Sequence, residues 1–148
     1  MKIALVTHTS FPEFIGGREN HVHHLACGLS KIAQVTVFSG GRIKSEDLSR
    51  IHGYTLVRVP MSQIKVSSNP LQYYVLLPQL YRALHRERFE LVHAFEYGSF
   101  STDVACLFAR RHRLPFILTV YGYQLNRPLG KAVKKIYDLG FGRVVLSY

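Results

Sequence analysis

The 148-residue sequence predicts an α/β fold in which two layers of helices enclose a doubly wound, mostly parallel sheet. Predicted strands and helices alternate along the whole chain, and segments such as 117–120 and 144–146 are almost continuously apolar. Such strands are typical of a parallel sheet, because helices bury both of its faces. The length corresponds to a single domain, 1–148, which can bury about two-thirds of its unfolded surface.

The alternation assigns each element in chain order. The predicted strands are Lys2–Thr7, Val35–Ser39, Tyr54–Pro60, Leu91–Phe95, Phe116–Tyr121 and Arg143–Ser147. The predicted helices are Gly17–Ile32, a helix from Asn69 or Pro70 to about Glu87, Thr102–His112 and Leu129–Leu139. Apolar residues at helical spacing support the second helix, with Tyr74, Leu77, Tyr81 and Leu84 inward and a bend at Pro78. The polar segment Gly40–Gly53 is expected to be irregular.

Composition restricts the classes of partner. Nineteen Lys and Arg against nine Asp and Glu give a net charge of +10, which favours phosphates or acidic lipid headgroups. A solvated basic surface explains the same charge equally well, and the lack of a helix-turn-helix, zinc-ligand or RNP pattern argues against nucleic acid. No apolar run approaches the ~20 residues of a membrane span, and the amino-terminus does not read as a signal peptide. We therefore expect a cytoplasmic protein, either free or peripheral on the cytoplasmic membrane face.

The most informative stretch is 11–25, in which Gly16 and Gly17 follow the first strand and open an amphipathic helix. The first N–H groups of a helix have no partner within it and carry the positive end of its dipole. Glycine allows a ligand to approach these groups closely, so Gly16 and Gly17 are predicted to bind a phosphate. A tight loop-to-helix turn without a ligand is the structural alternative.

Two other kinds of site, a dinucleotide-binding site and a metal site, do not agree with the sequence of this stretch. A dinucleotide fingerprint needs G-x-G-x-x-G directly after the first strand and an acid near the end of the second. Here eight residues intervene, the pattern is G-G-x-E, and the second strand ends without an acid. His21, His23 and His24 lack the i, i+4 spacing of H-E-x-x-H, so no metal is predicted. Glu19 is expected to compensate the helix dipole, and Cys27 and Cys106 to be buried free thiols, with a pairing left open.

Two blocks of sequence resemble the GT4 glycosyltransferases, which have the GT-B fold. The first resembles the donor-facing motif P-x-x-G-G-x-E-x-H-V at Pro12, Gly16, Gly17, Glu19, His21 and Val22, with one additional residue between Pro12 and Gly16. The second, 89–125, is similar to the family's D-V-V-H-A-H and G-V-P-x-V-x-T-x-H-G. The resemblance implies a Rossmann-like amino-terminal domain of a retaining enzyme, which moves a sugar from a nucleotide-sugar to a glycan or lipid-linked acceptor. It implies no cofactor and no metal.

The resemblance also assigns roles to residues of this chain. Gly16 and Gly17 would bind the donor diphosphate, and no residue would act as a catalytic base, because the donor phosphate takes the acceptor proton. The residues expected to face the acceptor or sugar are Glu13, Arg18, His93, Glu96 and Tyr121. His93, Glu96 and Tyr121 end predicted strands, where parallel sheets form their ligand crevice. A histidine satisfied by its neighbours is an equal alternative for His93, and the family commonly has a histidine at the position of Tyr121.

The chain stops at Tyr148, directly after an apolar segment that we predict to be a strand. We therefore expect an excised domain that lacks the carboxyl-terminal nucleotide-sugar domain of a GT-B enzyme and has no transfer activity by itself. The alternative function is a basic Rossmann-like module that binds an anionic membrane or a partner without catalysis. The basic amphipathic segments 71–88 and 131–139 suggest it, although ordinary sheet-covering helices have the same pattern.

Overall fold

The computed structural model describes residues 1–42, 47–65, 73–121, 135 and 137–147. The strands are β1 (Lys2–Val6), β2 (Gln34–Gly41), β3 (Asp47–Ile51), β4 (Tyr54–Pro60), β5 (Ser62–Lys65), β6 (Tyr73–Leu76), β7 (Leu91–Phe95) and β8 (Phe116–Thr119). The helices with defined bounds are α1 (Gly17–Leu29), α2 (Leu80–Leu84), α3 (Phe100–His112) and α4 (Phe141–Leu146). The predicted α/β class is confirmed.

The central sheet has the strand order β3-β4-β2-β1-β7-β8. All of its neighbouring strands are parallel except β3, which pairs antiparallel with β4. From β1 the chain first builds the sheet toward β2 and β4 and later returns to add β7 and β8 on the other side. The order therefore reverses between β1 and β7, which makes the carboxyl ends of these two strands the expected ligand crevice.

The core lies on both faces of the sheet. Successive side chains of β1 point to opposite faces. Ala4 and Val6 pack in a cluster with residues of α2 and α3, whereas Ile3 and Leu5 pack in a second cluster with residues of α1. All four side chains are at most 1% exposed. The helices thus cover both faces of β1, and the three-layer prediction is confirmed.

The segment 40–53 contains structure that the sequence analysis did not predict. β2 continues to Gly41, and β3 forms a hairpin with β4. His52 and Gly53, the two residues between the strands, both have positive φ angles, 45° and 95°. Two positive φ values are typical of the tight hairpin turns whose twist matches that of the flanking strands. β3 is an edge strand with a polar sequence, and the sequence analysis therefore interpreted this segment as irregular.

The predicted helix from 69 or 70 to Glu87 is wrong over most of its described part. Tyr73–Leu76 is a strand that pairs antiparallel with β5, and α2 covers only Leu80–Leu84. Aromatic and β-branched residues favour the strand, and a helix interior does not accept Pro78. Leu77 and Leu84 are fully buried as predicted, but Tyr81 is 38% exposed. Residues 69–72 lie outside the described part of the chain.

The carboxyl-terminal prediction is also wrong, since Arg143–Ser147 is mostly helical and belongs to α4. Short apolar runs do not distinguish a strand from a helix by periodicity. The predicted helix Leu129–Leu139 is described only at residues 135 and 137–139, which are helical. Cys27 and Cys106 are free thiols. In the part of the chain that the structure describes, no helix has the length and apolar character needed to cross a membrane.

Candidate functional site

The crevice is formed by the loop after β1, the start of α1 and the residues that follow β7. α1 begins at Gly17, as predicted, and its N-cap residue Gly16 is extended, with φ −162° and ψ 177°. Gly16 has no side chain to cap the helix, and within the first turn the amide of Glu19 donates to its own carboxylate. The amides of Gly17 and Arg18 and the positive end of the helix dipole lie at the carboxyl edge of the sheet.

The two glycines have different surroundings. Among the described residues, a Cβ atom on Gly17 would meet no atom within 4 Å outside its chain neighbours and its own helix backbone, so this position faces open space. A Cβ atom on Gly16 would lie 2.6 Å from Oε2 of Glu19. Gly17 therefore leaves room for a ligand at the helix start, whereas Gly16 leaves room for the carboxylate of Glu19.

Arg18 is the centre of a side-chain network. Its Nη1 contacts Oε2 of Glu96, and its Nη2 contacts Oε1 of Glu19. Nη2 also donates to Oγ1 of Thr9 at 2.8 Å, and that hydroxyl donates to Oε1 of Glu19 at 2.7 Å. The network joins the loop after β1, the first turn of α1 and the end of β7. Sequence reasoning predicted Arg18 and Glu96 as site residues but not that they form an ion pair.

The two carboxylates of this network differ electrostatically. Burial would raise the pKa of Glu19, but hydrogen bonds from Thr9, Arg18 and its own amide outweigh burial and lower it. Burial raises the pKa of Glu96, and the nearby Arg18 offsets only part of this rise. Glu19 is therefore the firmly ionised partner of Arg18. Glu96 also has a φ of 83°, a left-handed conformation that costs energy for a residue with a side chain.

His8 belongs to the same site, although the sequence analysis did not identify it. Its Nδ1 lies 3.1 Å from Oε2 of Glu96. Burial, together with the charge of Arg18, lowers the pKa of His8 to about 4, so its ring is neutral at pH 7 and the contact is not an ion pair. Nδ1 is buried and has no aligned hydrogen-bond partner among the described residues. The sequence feature that could have identified His8 is its position just after β1, where parallel sheets form their ligand crevice.

His93 is held within the sheet. Its Nε2 lies 2.8 Å from Oγ1 of Thr119 on the neighbouring strand β8, and its ring stacks on Phe95 with centroids 4.3 Å apart. Burial and the nearby His21 lower the pKa of His93 to about 4. The side chain is thus a neutral imidazole whose Nε2 is already hydrogen-bonded, which matches the alternative of a histidine satisfied by its neighbours.

Tyr121 lies just after β8 and faces α1. Its hydroxyl is 2.7 Å from Nδ1 of His21, and the two rings meet edge to face with centroids 5.8 Å apart. Burial raises the pKa of Tyr121, so the hydroxyl keeps its proton at neutral pH. Its ring packs against the apolar cluster around α1, and its hydroxyl reaches the exposed side chain of His21 beside the crevice. The sequence analysis considered His21 only as part of the family motif and a rejected metal set.

Glu13 is the predicted site residue that the structure does not bring into this group. Its Oε1 accepts a hydrogen bond from the amide of Arg42 at 2.9 Å, and its Oε2 lies 3.9 Å from Nη1 of Arg58. These contacts hold the loop that follows β1 against the ends of β2 and β4. In the part of the chain that the structure describes, no three His, Cys, Asp or Glu side chains are arranged to hold a metal.

Comparison with known proteins identifies the class of this domain. The sequence model of Glycosyltransferase Family 4 matches residues 15–145, which include α1 and the residues that follow β7. The chain therefore belongs to glycosyltransferase family 4, and its Rossmann-like fold is that of the amino-terminal domain of the GT-B enzymes. No curated protein sequence matches the chain.

The different surroundings of the two glycines give a prediction for stability. Gly16→Ala should lower the free energy of unfolding by about 1–3 kcal/mol, because the new methyl group displaces the Glu19 carboxylate. Gly17→Ala should leave it unchanged or raise it by up to about 1 kcal/mol, since the methyl group enters open space. Urea unfolding of the two variants measures the difference. Equal stability of both variants would contradict the tight contact at Gly16.

The two buried histidines give a prediction for pH dependence. Because the folded pKa of His8 and of His93 lies near 4, below the ordinary 6.5, only the unfolded chain binds their protons between these values. The free energy of unfolding should fall as pH drops from 6.5 to 4, by up to roughly 1.4 kcal/mol per pH unit for each histidine. His8→Gln should reduce this slope in urea unfolding, and the exposed His24→Gln serves as the control. An unchanged slope in His8→Gln would argue against a buried neutral ring.

Proposed function

We propose that this domain is the acceptor-side half of a retaining glycosyltransferase that moves a sugar from a nucleotide-sugar to a hydroxyl group of a glycan or lipid-linked acceptor. The observation that carries the proposal is the open start of α1 at Gly17, where an added Cβ would meet no side chain or other segment within 4 Å among the described residues. This opening lies at the switch point of a parallel sheet, in a chain of glycosyltransferase family 4. A diphosphate fits an opening of this kind because unpaired amides and the helix dipole both favour negative charge.

The reaction would proceed at the first turn of α1. The bond between the sugar C1 and the donor phosphate oxygen breaks, and the acceptor oxygen bonds to C1 on the same face. The acceptor proton passes to the departing phosphate oxygen, so no protein base is required. Negative charge grows on the phosphate as the bond breaks, and the amides at Gly17 and Arg18 would stabilise it. The proposal uses no metal, because these amides supply the charge stabilisation.

The acceptor would lie between the ends of β7 and β8. Glu96 points one carboxylate oxygen at Arg18 and is about one-third exposed, so it can accept hydrogen bonds from sugar hydroxyls. Tyr121 would contribute its hydroxyl from the other side. Arg18 is then a positioning residue that orients Glu96, while His93 and Glu13 support the walls of the crevice. Contacts to the nucleotide base would come from a second Rossmann-like domain, and we expect the enzyme to work in the cytoplasm, where it can also approach the membrane.

A non-catalytic binding module was the alternative function, and its main support is lost. The segment 71–88 was expected to be a basic amphipathic helix, but Tyr73–Leu76 is a strand and α2 has only five residues. The other segment, 131–139, lies mostly outside the described residues. The glycosyltransferase proposal therefore has the stronger basis.

The proposal predicts the effect of closing the opening at α1. In the full-length protein, Gly17→Val should lower kcat for sugar transfer by about 100-fold or more, because its side chain blocks the phosphate from the amides. Gly28→Val on the same helix is the matched control, since a Cβ there also has no atom within 4 Å. Urea unfolding checks that both variants fold. Normal turnover by folded Gly17→Val would mean that the glycines only form a turn.

Tyr121 provides a second test in the full-length protein. Tyr121→Phe keeps the ring and removes the hydroxyl that lies next to His21. We expect kcat/KM for the acceptor to fall by the equivalent of about 0.5–1.5 kcal/mol, the contribution of one hydrogen bond. Hydrolysis of the donor in the absence of acceptor should change less than transfer. Unchanged acceptor kinetics would assign the hydroxyl to His21 alone.

A further inference from the structure

A cavity lies at the amino edge of the sheet, opposite the crevice. It has a volume of about 460 Å³ and is formed by the segments that precede β7 and β8 and by the end of α3. Its lining residues are His85, Glu87, Arg88, Phe89, Phe108, His112 and Leu114. The volume is within the range of small-molecule sites, roughly 300–1,000 Å³. Some of these residues lie within the segment 89–125 that resembles the family, but the proposed reaction uses none of them.

The walls of this cavity are packed aromatic rings. Phe89 and Phe108 are 5% and 3% exposed and form a buried apolar base. The ring centroid of His85 lies 5.2 Å from that of Phe108 and 4.8 Å from that of His112. Phe108 and His112 are also in contact, with centroids 4.5 Å apart. These mutual contacts fix the rings, so the cavity offers a preformed surface to an apolar or planar group.

The charge at the rim favours an anion. The two acids next to Arg88 are turned toward the amino-terminus, where Glu87 lies 3.5 Å from Nζ of Lys2 and Glu90 accepts from its amide at 2.7 Å. Arg88 has no carboxylate partner among the described residues and is exposed. The cations in the last turn of α3 balance the dipole of that helix. Arg88 at the rim of an aromatic cavity therefore remains as an unpaired positive charge.

We propose that this cavity binds a phosphate ester, with the phosphate on Arg88 and the organic part against Phe89 and Phe108. A guanidinium matches phosphate oxygens with two parallel hydrogen bonds, and the aromatic base adds apolar burial. Either a soluble phosphate ester or the headgroup of an anionic lipid would supply this chemistry. The site is separate from the crevice and does not depend on the proposed sugar transfer.

Titration calorimetry with two soluble probes tests the site. Phenyl phosphate should bind about tenfold more tightly than inorganic phosphate, because its ring is buried against the aromatic base. Arg88→Gln should weaken phenyl phosphate binding about tenfold, and Arg88→Lys should weaken it less. Arg50→Gln removes the same charge from an exposed position on β3 and should change the affinity by less than about twofold.

Co-sedimentation with vesicles distinguishes the two sources of phosphate. Vesicles of phosphatidylcholine that contain phosphatidylglycerol are compared with pure phosphatidylcholine, for the wild type and for Arg88→Gln and Arg50→Gln. Phenyl phosphate binding that depends on Arg88 supports a soluble ligand. Vesicle binding that depends on Arg88, without binding of phenyl phosphate, supports a lipid headgroup.

The remaining outcomes would overturn the proposal. Equal weakening by Arg88→Gln and Arg50→Gln would show a diffuse attraction to the basic surface. Binding that is lost in Gly17→Val and kept in Arg88→Gln would place the probe in the crevice. No binding of either probe or of anionic vesicles would leave the cavity without a phosphate ligand.

Discussion

The contacts of the Arg18 guanidinium with Glu19 and Glu96 are the interaction on which the crevice depends. Charges that are withdrawn from water are tolerated when they are paired and hydrogen-bonded, and Thr9 adds hydrogen bonds of 2.7 and 2.8 Å to this set. This requirement explains other features nearby. Gly16 has no Cβ because the Glu19 carboxylate occupies that space, and Glu96 keeps a left-handed backbone while its side chain reaches Arg18. One ion network thus fixes the start of α1 relative to the end of β7.

The same network determines how the crevice interacts with anions. Arg18 faces two carboxylates, and the neutral His8 adds no charge, so the side chains do not make this edge positive. A phosphate at Gly17 would therefore depend on backbone amides and the helix dipole and not on the net charge of +10. At the opposite edge of the sheet, Arg88 has no carboxylate partner among the described residues. The overall charge of the chain is consequently a poor guide to where the sugar-donor phosphate would bind.

The sequence predicted the features that follow from local backbone rules. These are the parallel strands β1, β2, β4, β7 and β8, the start of α1 at Gly17, and the placement of Glu96 and Tyr121 at strand ends. The sequence analysis failed where the structure of a segment depends on the elements that it pairs or packs with. The examples are β6, which pairs with β5, and the short helix α4. The pairing of Arg18 with Glu96 was also missed, because 78 residues separate them and no local pattern connects them. His8 was missed because a single histidine after a strand has no motif of its own.

The contact between Tyr121 and His21 sets which hydrogen bonds the far side of the crevice can offer. A tyrosine hydroxyl is protonated at neutral pH, and burial raises the pKa of Tyr121 further. If Nδ1 of His21 carries no proton, it accepts a hydrogen bond from the Tyr121 hydroxyl. The tyrosine oxygen can then accept a hydrogen bond from a hydroxyl group of the ligand. If Nδ1 carries the proton, it donates to Tyr121, whose own proton is then free to be donated to the ligand. The tautomer of His21 therefore decides whether the Tyr121 hydroxyl offers a hydrogen-bond donor or an acceptor to the crevice.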